Sequence, residues 1–289
     1  MKITRGWGLL MVGAMGCRQG PPTQGPSKTE ASAAVTPRPA ASAVVASALP
    51  PTAPNPRAVR GQQDCPPDML FVPGATFSVI GPVPGGADNT PQKQQLHADA
   101  FCIDRTELPM AKYDPKLCGK LDPDCSQNAS RQGPATGVSY DQAECMCARG
   151  TPGTTKRLPS DPEWLLAALG TDGRRFPWGN DPYPDGYKVG QNFCPDQANV
   201  PVNRWICPVE VSVLDKSPFG VIGMASNANE ITSTCFPSPD RRFVWCAVRG
   251  ADVNFGPLEV TGQVVRVSGP NGCNAGLSFR CVISDRAQR

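Results

Sequence analysis

The sequence predicts an α+β domain with few regular elements and many disulfide bonds. Two segments carry helix start signals, and the other apolar segments are short and bounded by glycine and proline. The 289 residues include 29 Gly, 33 Pro and 13 Cys. Because Gly and Pro interrupt helices and strands, this composition favours short elements joined by irregular chain. Thirteen cysteines indicate an oxidising compartment unless they bind metal.

The most informative stretch is 156–181, KRLPSDPEWLLAALGTDGRRFPWGND. Ser160 and Glu163 have the spacing of a capping box, and Pro162 lies in the first turn, where its missing N–H costs nothing. Gly170 is placed to end the predicted helix. The loop that follows is rich in aromatics, and we expect its Trp178 to pack into the core rather than to bind a ligand.

Other segments give the remaining elements. Ser139 and Gln142 form a second capping box, so a helix is predicted from there to Gly150. The segment 68–77, DMLFVPGATF, predicts a strand, a turn and a second strand.

Charge excludes one class of partner. The chain has 28 Lys+Arg against 25 Asp+Glu, and no run of basic residues. Nucleic-acid binding needs a basic patch to neutralise phosphates, so we predict no nucleic-acid partner.

The N-terminus predicts a bacterial lipoprotein signal. Lys2 and Arg5 precede a short apolar run, 7–15, that ends in small residues before Cys17. We predict lipidation at Cys17, and hence membrane attachment through a lipid anchor in the cell envelope. Arg18 rather than Asp after this cysteine favours the outer membrane over the inner. The alternatives are an ordinary cleaved signal or an incidental apolar start.

The domain boundaries follow from composition. Residues 1–17 form the predicted signal peptide, and 18–60 consist mostly of Ala, Pro, Ser, Thr and Gly with very few large apolar side chains. Such a segment cannot offset the entropy cost of ordering, so we predict a disordered tether. The folded domain is expected at 61–289.

Seven ordered segments carry a family resemblance. They are 68–77, 101–107, 137–140, 156–181, 217–233, 248–251 and 277–281. Together they closely resemble the signature of the formylglycine-generating enzyme family, the sulfatase-modifying-factor domain. The resemblance implies the C-type-lectin-like α+β fold of that family, with two helices and several short antiparallel strands, of which 277–281 is the closing one.

Without Cys17, twelve cysteines remain, enough for up to six disulfides whose connectivity the spacing does not fix. The resemblance implies one pair, Cys147 with Cys281. Proximity suggests Cys118 with Cys125 and Cys235 with Cys246. A soft-metal site at 145–147 is the rival interpretation, but a single histidine and the lack of a CxxC pair do not favour zinc.

The resemblance also implies what an active site would contain. Enzymes of the family oxidise a sulfatase cysteine to formylglycine, using O2 and copper(I) held by two cysteines. Thiolates suit this task because copper(I) is soft. Phe255 and Val260 occupy the aligned positions, and Asp252 stands where the family has a serine. We therefore predict that copper is not bound and that the oxidase chemistry is lost.

Calcium is a separate expectation from the resemblance, since the family carries structural calcium on hard oxygen ligands. Asn192 and the Phe193 carbonyl match one such site. A second site matches Glu230 with three backbone carbonyls, those of Gly223, Ser226 and Ala228. Ordinary loop capping by Asn and Glu is the alternative interpretation.

These observations predict a lipid-anchored, non-catalytic binding or structural module with an unidentified protein or glycan ligand. The alternative is an active copper-dependent oxidase acting on a sulfatase cysteine, or another oxidase chemistry in the same groove. Calcium-dependent sugar binding of the lectin type has only the fold in its favour, because the Glu-Pro-Asn and Gln-Pro-Asp triplets are missing from the sequence.

Overall fold

The computed structural model describes residues 59–85, 90–121, 131–149, 156–183, 185, 207–210, 214–238, 244–250 and 276–284. The chain divides into two units, residues 1–52 and 53–289, and every described residue lies in the second. The predicted signal peptide and nearly all of the predicted tether lie outside the described residues. None of the described helices combines the length and apolar content needed to cross a membrane.

Short strands account for most of the regular structure. They are β1 (Met69–Val72), β2 (Ala75–Gly81), β3 (Gln92–Ala98), β4 (Phe101–Asp104), β5 (Asn229–Pro237), β6 (Val244–Arg249), β7 (Leu277–Ser278) and β8 (Val282–Ser284). In the described part of the chain they form three small sheets, ordered β1-β4-β8, β2-β3 and β6-β5-β7. All pairings are antiparallel except that of β5 with β7.

The described helices are α1 (Pro115–Cys118), α2 (Tyr140–Arg149) and α3 (Asp161–Leu169). Both predicted capping boxes are present. The Ser160 backbone N–H donates to Glu163 Oε2 (2.8 Å), and the Ser139 backbone N–H donates to Gln142 Oε1 (2.9 Å). Gly170 ends α3 with a φ of +64°, a conformation that favours glycine.

Helix α3 lies at the centre of the larger of two main apolar cores. The sequence indicates one apolar face, but eight of its nine residues are buried, including Asp161 and Glu163. The larger core packs α3 against side chains from β2, β3 and β4. The second core packs α2 against β5, β6 and β7. A helix apolar on most sides is buried on most sides, which explains the difference.

The closing strand differs from its prediction. The resemblance implies one strand over 277–281, whereas β7 pairs with β5 and β8 pairs with β4 in a different sheet. Between them, residues 279–281 lie outside both strands, and Arg280 is fully buried. The chain end therefore joins two sheets instead of extending one.

Candidate functional site

The guanidinium of Arg280 is the centre of a buried polar network. Its Nε donates to Glu230 Oε2 (2.6 Å) and its Nη2 donates to Glu230 Oε1 (2.5 Å). Nη2 also donates to the Ile222 carbonyl, and Nη1 donates to the carbonyls of Asp104 and Arg105. All five N–H groups of the side chain therefore have acceptors.

Two further buried contacts anchor α3, one to this network and one to β6. Trp164 is fully buried and its Nε1 donates to Glu230 Oε2 at 2.8 Å. At the start of the same helix, the Asp161 carboxylate accepts from Nε (2.5 Å) and Nη2 (2.8 Å) of Arg249, which ends β6. Buried charges are stable only when paired and hydrogen-bonded, so these pairs fix how α3, β5 and β6 dock.

Glu107 lies beside this network and has no hydrogen bond to either carboxylate oxygen. It is fully buried, and Arg280 Nη2 lies 3.9 Å away with its protons donated to Ile222 and Glu230. Burial raises the pKa of Glu107, the Arg280 charge opposes the rise and the Glu230 charge adds to it, so that the pKa is about 8.

The predicted second calcium site lies in the turn next to Glu107. Gly223 lies so close to Glu107 that a Cβ there would be 3.0 Å from Oε2. Both oxygens of Glu230 already accept hydrogen bonds, and Arg280 neutralises its charge. The side chains at this site therefore do not fit a calcium ion.

The remaining residues of the two predicted calcium sites do not decide whether the chain binds calcium. The Ser226 carbonyl accepts from the Ala228 N–H (3.0 Å). Asn192 and Phe193 lie outside the described residues. The described part of the chain contains no group of three His, Cys, Asp or Glu side chains able to hold a metal. Calcium binding stays a prediction.

Every cysteine in the described part of the chain is in a disulfide. The pairs are Cys65–Cys102, Cys118–Cys145, Cys147–Cys281 and Cys235–Cys246, and Cys207 is also disulfide-bonded. Cys147–Cys281 is the pair that the resemblance implies. The suggested pair of Cys118 with Cys125 is wrong, because α1 packs on α2 and places Cys118 beside Cys145. Cys17, Asp252, Phe255 and Val260 lie outside the described residues.

The loop after α3 contributes to the core. Phe176 is buried, and its ring stacks on that of the half-buried Trp178 with centroids 5.2 Å apart. Trp178 Nε1 donates to the Asp181 carbonyl, and Arg174 pairs with Asp172 at 2.6 Å. The interpretation of Trp178 as a core residue agrees with this packing.

A cavity of about 280 Å³ opens between the segment before β1, the segment after β4, and α2. In its wall, Lys156 Nζ donates to Asp104 Oδ1 at 2.7 Å, and Asp104 Oδ2 accepts from the Cys281 N–H. Burial raises the pKa of Asp104, and Lys156 opposes the rise. The ion pair is mostly shielded, with side-chain exposures of 6% for Lys156 and 14% for Asp104.

Little in the sequence predicts that these polar groups meet. Lys156, Asp104, Glu107 and Arg280 all lie in segments that carry the resemblance, but no spacing joins them. They meet because β4, the start of α3 and the chain end converge. An acidic residue after an apolar strand, as in 101–107, was the available signal, and it does not by itself predict burial.

The fold and its disulfides define the class of protein as a C-type-lectin-like α+β domain. The model of the FGE-sulfatase family, described as a sulfatase-modifying factor enzyme 1-like domain, matches residues 55–285. Since this match spans most of the chain, the protein belongs to that family.

A solved structure, that of CarF, agrees at the level of the fold. The crystal structure of CarF is 17% identical over 76% of this chain and 99% of CarF, with a TM-score of 0.51. Treponema denticola variable protein 1 is 15% identical over 75% of this chain and 94% of its own, with a TM-score of 0.48. No curated protein matches the chain.

Proposed function

We propose that this chain is an envelope-anchored, non-catalytic member of the FGE-sulfatase family that acts as a binding or structural module. The observation that carries the proposal is the state of the cysteines. All nine in the described part of the chain are in disulfides, so none of them offers a thiolate to copper(I). The sequence supports the same conclusion, with Phe255 and Val260 at the positions aligned with the copper ligands.

The preserved scaffold favours a binding or structural role over loss of all function. The scaffold is crosslinked by the buried pairs Arg280–Glu230 and Arg249–Asp161 and by the Cys147–Cys281 disulfide. Rigid frameworks that carry irregular loops are well suited to recognition, because the loops can vary while the framework stays fixed. The predicted anchor at Cys17 would display the domain at a membrane.

The test is copper(I) titration of the full chain, purified in detergent under non-reducing conditions. Formylglycine formation on a Cys-x-Pro-x-Arg peptide is assayed in parallel. We expect no stoichiometric copper binding and no aldehyde product. One equivalent of tightly bound copper together with peptide oxidation would overturn the proposal and identify an oxidase.

A further inference from the structure

The cavity beside Lys156 contains a buried ammonium group with unused donors. Lysine has three N–H donors, and the described residues supply Lys156 with one acceptor, Asp104 Oδ1. The Lys156 side chain is 6% exposed and lines the cavity. An oxygen of a ligand in the cavity can therefore accept hydrogen bonds from the remaining N–H groups of the ammonium.

The cavity rim carries both signs of charge in equal number. Its exposed charged residues are Asp68, Arg105, Lys112 and Glu210. Within the described part of the chain, none of these four side chains takes part in a salt bridge. The wall adds the Lys156–Asp104 pair and the buried Glu107 carboxyl, so the cavity offers cationic and anionic groups to one small ligand.

We propose that this cavity binds a small zwitterion, a free α-amino acid. The ligand carboxylate accepts hydrogen bonds from Lys156, and the ligand ammonium is attracted to the acidic rim residues Asp68 and Glu210. Leu108 and Met146 supply apolar wall for a side chain. This proposal names the ligand of the binding module, so it rests on the proposed function in taking the domain as a binder.

Other ligand classes match the cavity less well. A metal cation would meet the Lys156 ammonium, and a polyanion would meet Asp68 and Glu210. A volume of about 280 Å³ lies at the low end of the range for small-molecule sites, which favours a ligand of amino-acid size. A zwitterion satisfies both charge signs without leaving an ion unpaired in the wall.

The first experiment screens the twenty common L-amino acids for a thermal shift of the full chain. Isothermal titration then compares the strongest responder with its deaminated and decarboxylated analogues. We expect the zwitterion to bind at least tenfold more tightly than either singly charged analogue. Absence of binding by all twenty at 10 mM, or equal affinity for the analogues, would overturn the proposal and leave the Lys156 donors to ordered water.

Rim variants test the site without disturbing the buried pair. Asp68→Asn combined with Glu210→Gln should weaken binding about tenfold and reduce the preference for the amino acid over its deaminated analogue. Matched changes at exposed acids outside the cavity, Asp141→Asn with Glu144→Gln, should leave both quantities unchanged. Lys156→Met should abolish binding, and the rim variants remain informative if that variant does not fold. Equal affinity in the rim variants and the matched control would contradict the proposed site.

The copper assay separates the two proposals. Amino-acid binding without copper binding supports both. Copper binding with peptide oxidation overturns the non-catalytic assignment, while the titration still decides whether the cavity binds amino acids. If the chain binds neither copper nor an amino acid, the structural role remains and the amino-acid proposal is overturned.

Discussion

Glu107 is the side chain whose environment is most at odds with its charge. It is fully buried and lacks a hydrogen bond to either carboxylate oxygen. It also lies near the Glu230 carboxylate, which is paired with Arg280. In such a place the neutral carboxylic acid is the favoured form, as the pKa of about 8 indicates. Asp215 behaves similarly, since burial raises its pKa to about 6 against hydrogen bonds from Ala225 N–H and Ser226 Oγ.

This environment predicts a pH-dependent stability that Glu107→Gln removes. The pKa of Glu107 in the folded protein is about 8, above its ordinary value of 4.5, so the folded state binds more protons in that window. The contribution of Glu107 is fully present below pH 4.5 and is lost as the pH rises through 8. One proton changes the free energy of unfolding by at most about 1.4 kcal/mol per pH unit.

Urea unfolding between pH 5 and 8.5 measures the effect. Wild type should lose stability relative to Glu107→Gln as the pH rises, because glutamine fills a similar volume without ionising. Glu144→Gln, at an exposed acid of α2, is the matched control and should follow wild type. Parallel curves for wild type and Glu107→Gln would show that Glu107 is ionised in the folded protein.

At the scale of elements, disulfides connect both distant and neighbouring parts of the chain. Cys147 at the end of α2 is joined to Cys281 between β7 and β8, across a sequence separation of 134. Cys235 and Cys246 join neighbouring strands β5 and β6 across a separation of 11. Because a crosslink restricts the unfolded chain more when its loop is longer, the two bonds contribute unequally.

The prediction is a larger loss of stability from opening the long loop. Cys147→Ala with Cys281→Ala should cost about 5 kcal/mol, and Cys235→Ala with Cys246→Ala about 3 kcal/mol, in the chain-entropy model. Burial of Cys147 and Cys281 adds a cavity cost in the same direction. Urea unfolding of both double variants at one pH provides the comparison. An equal or larger loss from the 235–246 pair would mean that loop length does not control the effect here.

For the whole molecule, the proposed location depends on one residue near the N-terminus. Acyl chains attached at Cys17 would bury their methylenes in the bilayer, at about 0.8 kcal/mol per CH2. The apolar run at 7–15 is too short to span a bilayer, so loss of the lipid would release the chain.

Detergent phase partitioning of the chain expressed in a bacterium tests this prediction. Wild type should enter the Triton X-114 phase, and Cys17→Ser should move to the aqueous phase or remain as an uncleaved precursor of higher mass. Ser27→Ala, in the predicted tether, is the control and should partition like wild type. A mature Cys17→Ser chain that stays in the detergent phase would rule out lipidation as the anchor.

Local sequence patterns predicted the elements that depend on neighbouring residues. The sequence pattern and the structure agree on three such features. They are the capping boxes at Ser139 and Ser160, the glycine that ends α3, and the strand–turn–strand at 68–77. The family resemblance likewise rests on ordered segments, and the fold follows from it. Strand β3, at 92–98, is rich in Gln and gave no alternating pattern to predict it.

Contacts between distant groups could not be predicted from the sequence and became visible in the folded chain. Cys118 pairs with Cys145 because α1 packs on α2, and Glu230 is neutralised by Arg280 because the chain end crosses between two sheets. The cavity with Lys156, Asp104 and its mixed-charge rim likewise assembles from four separate segments. Spacing along the chain reports contacts within a few residues, whereas the charge balance of a buried site depends on groups tens to hundreds of positions apart.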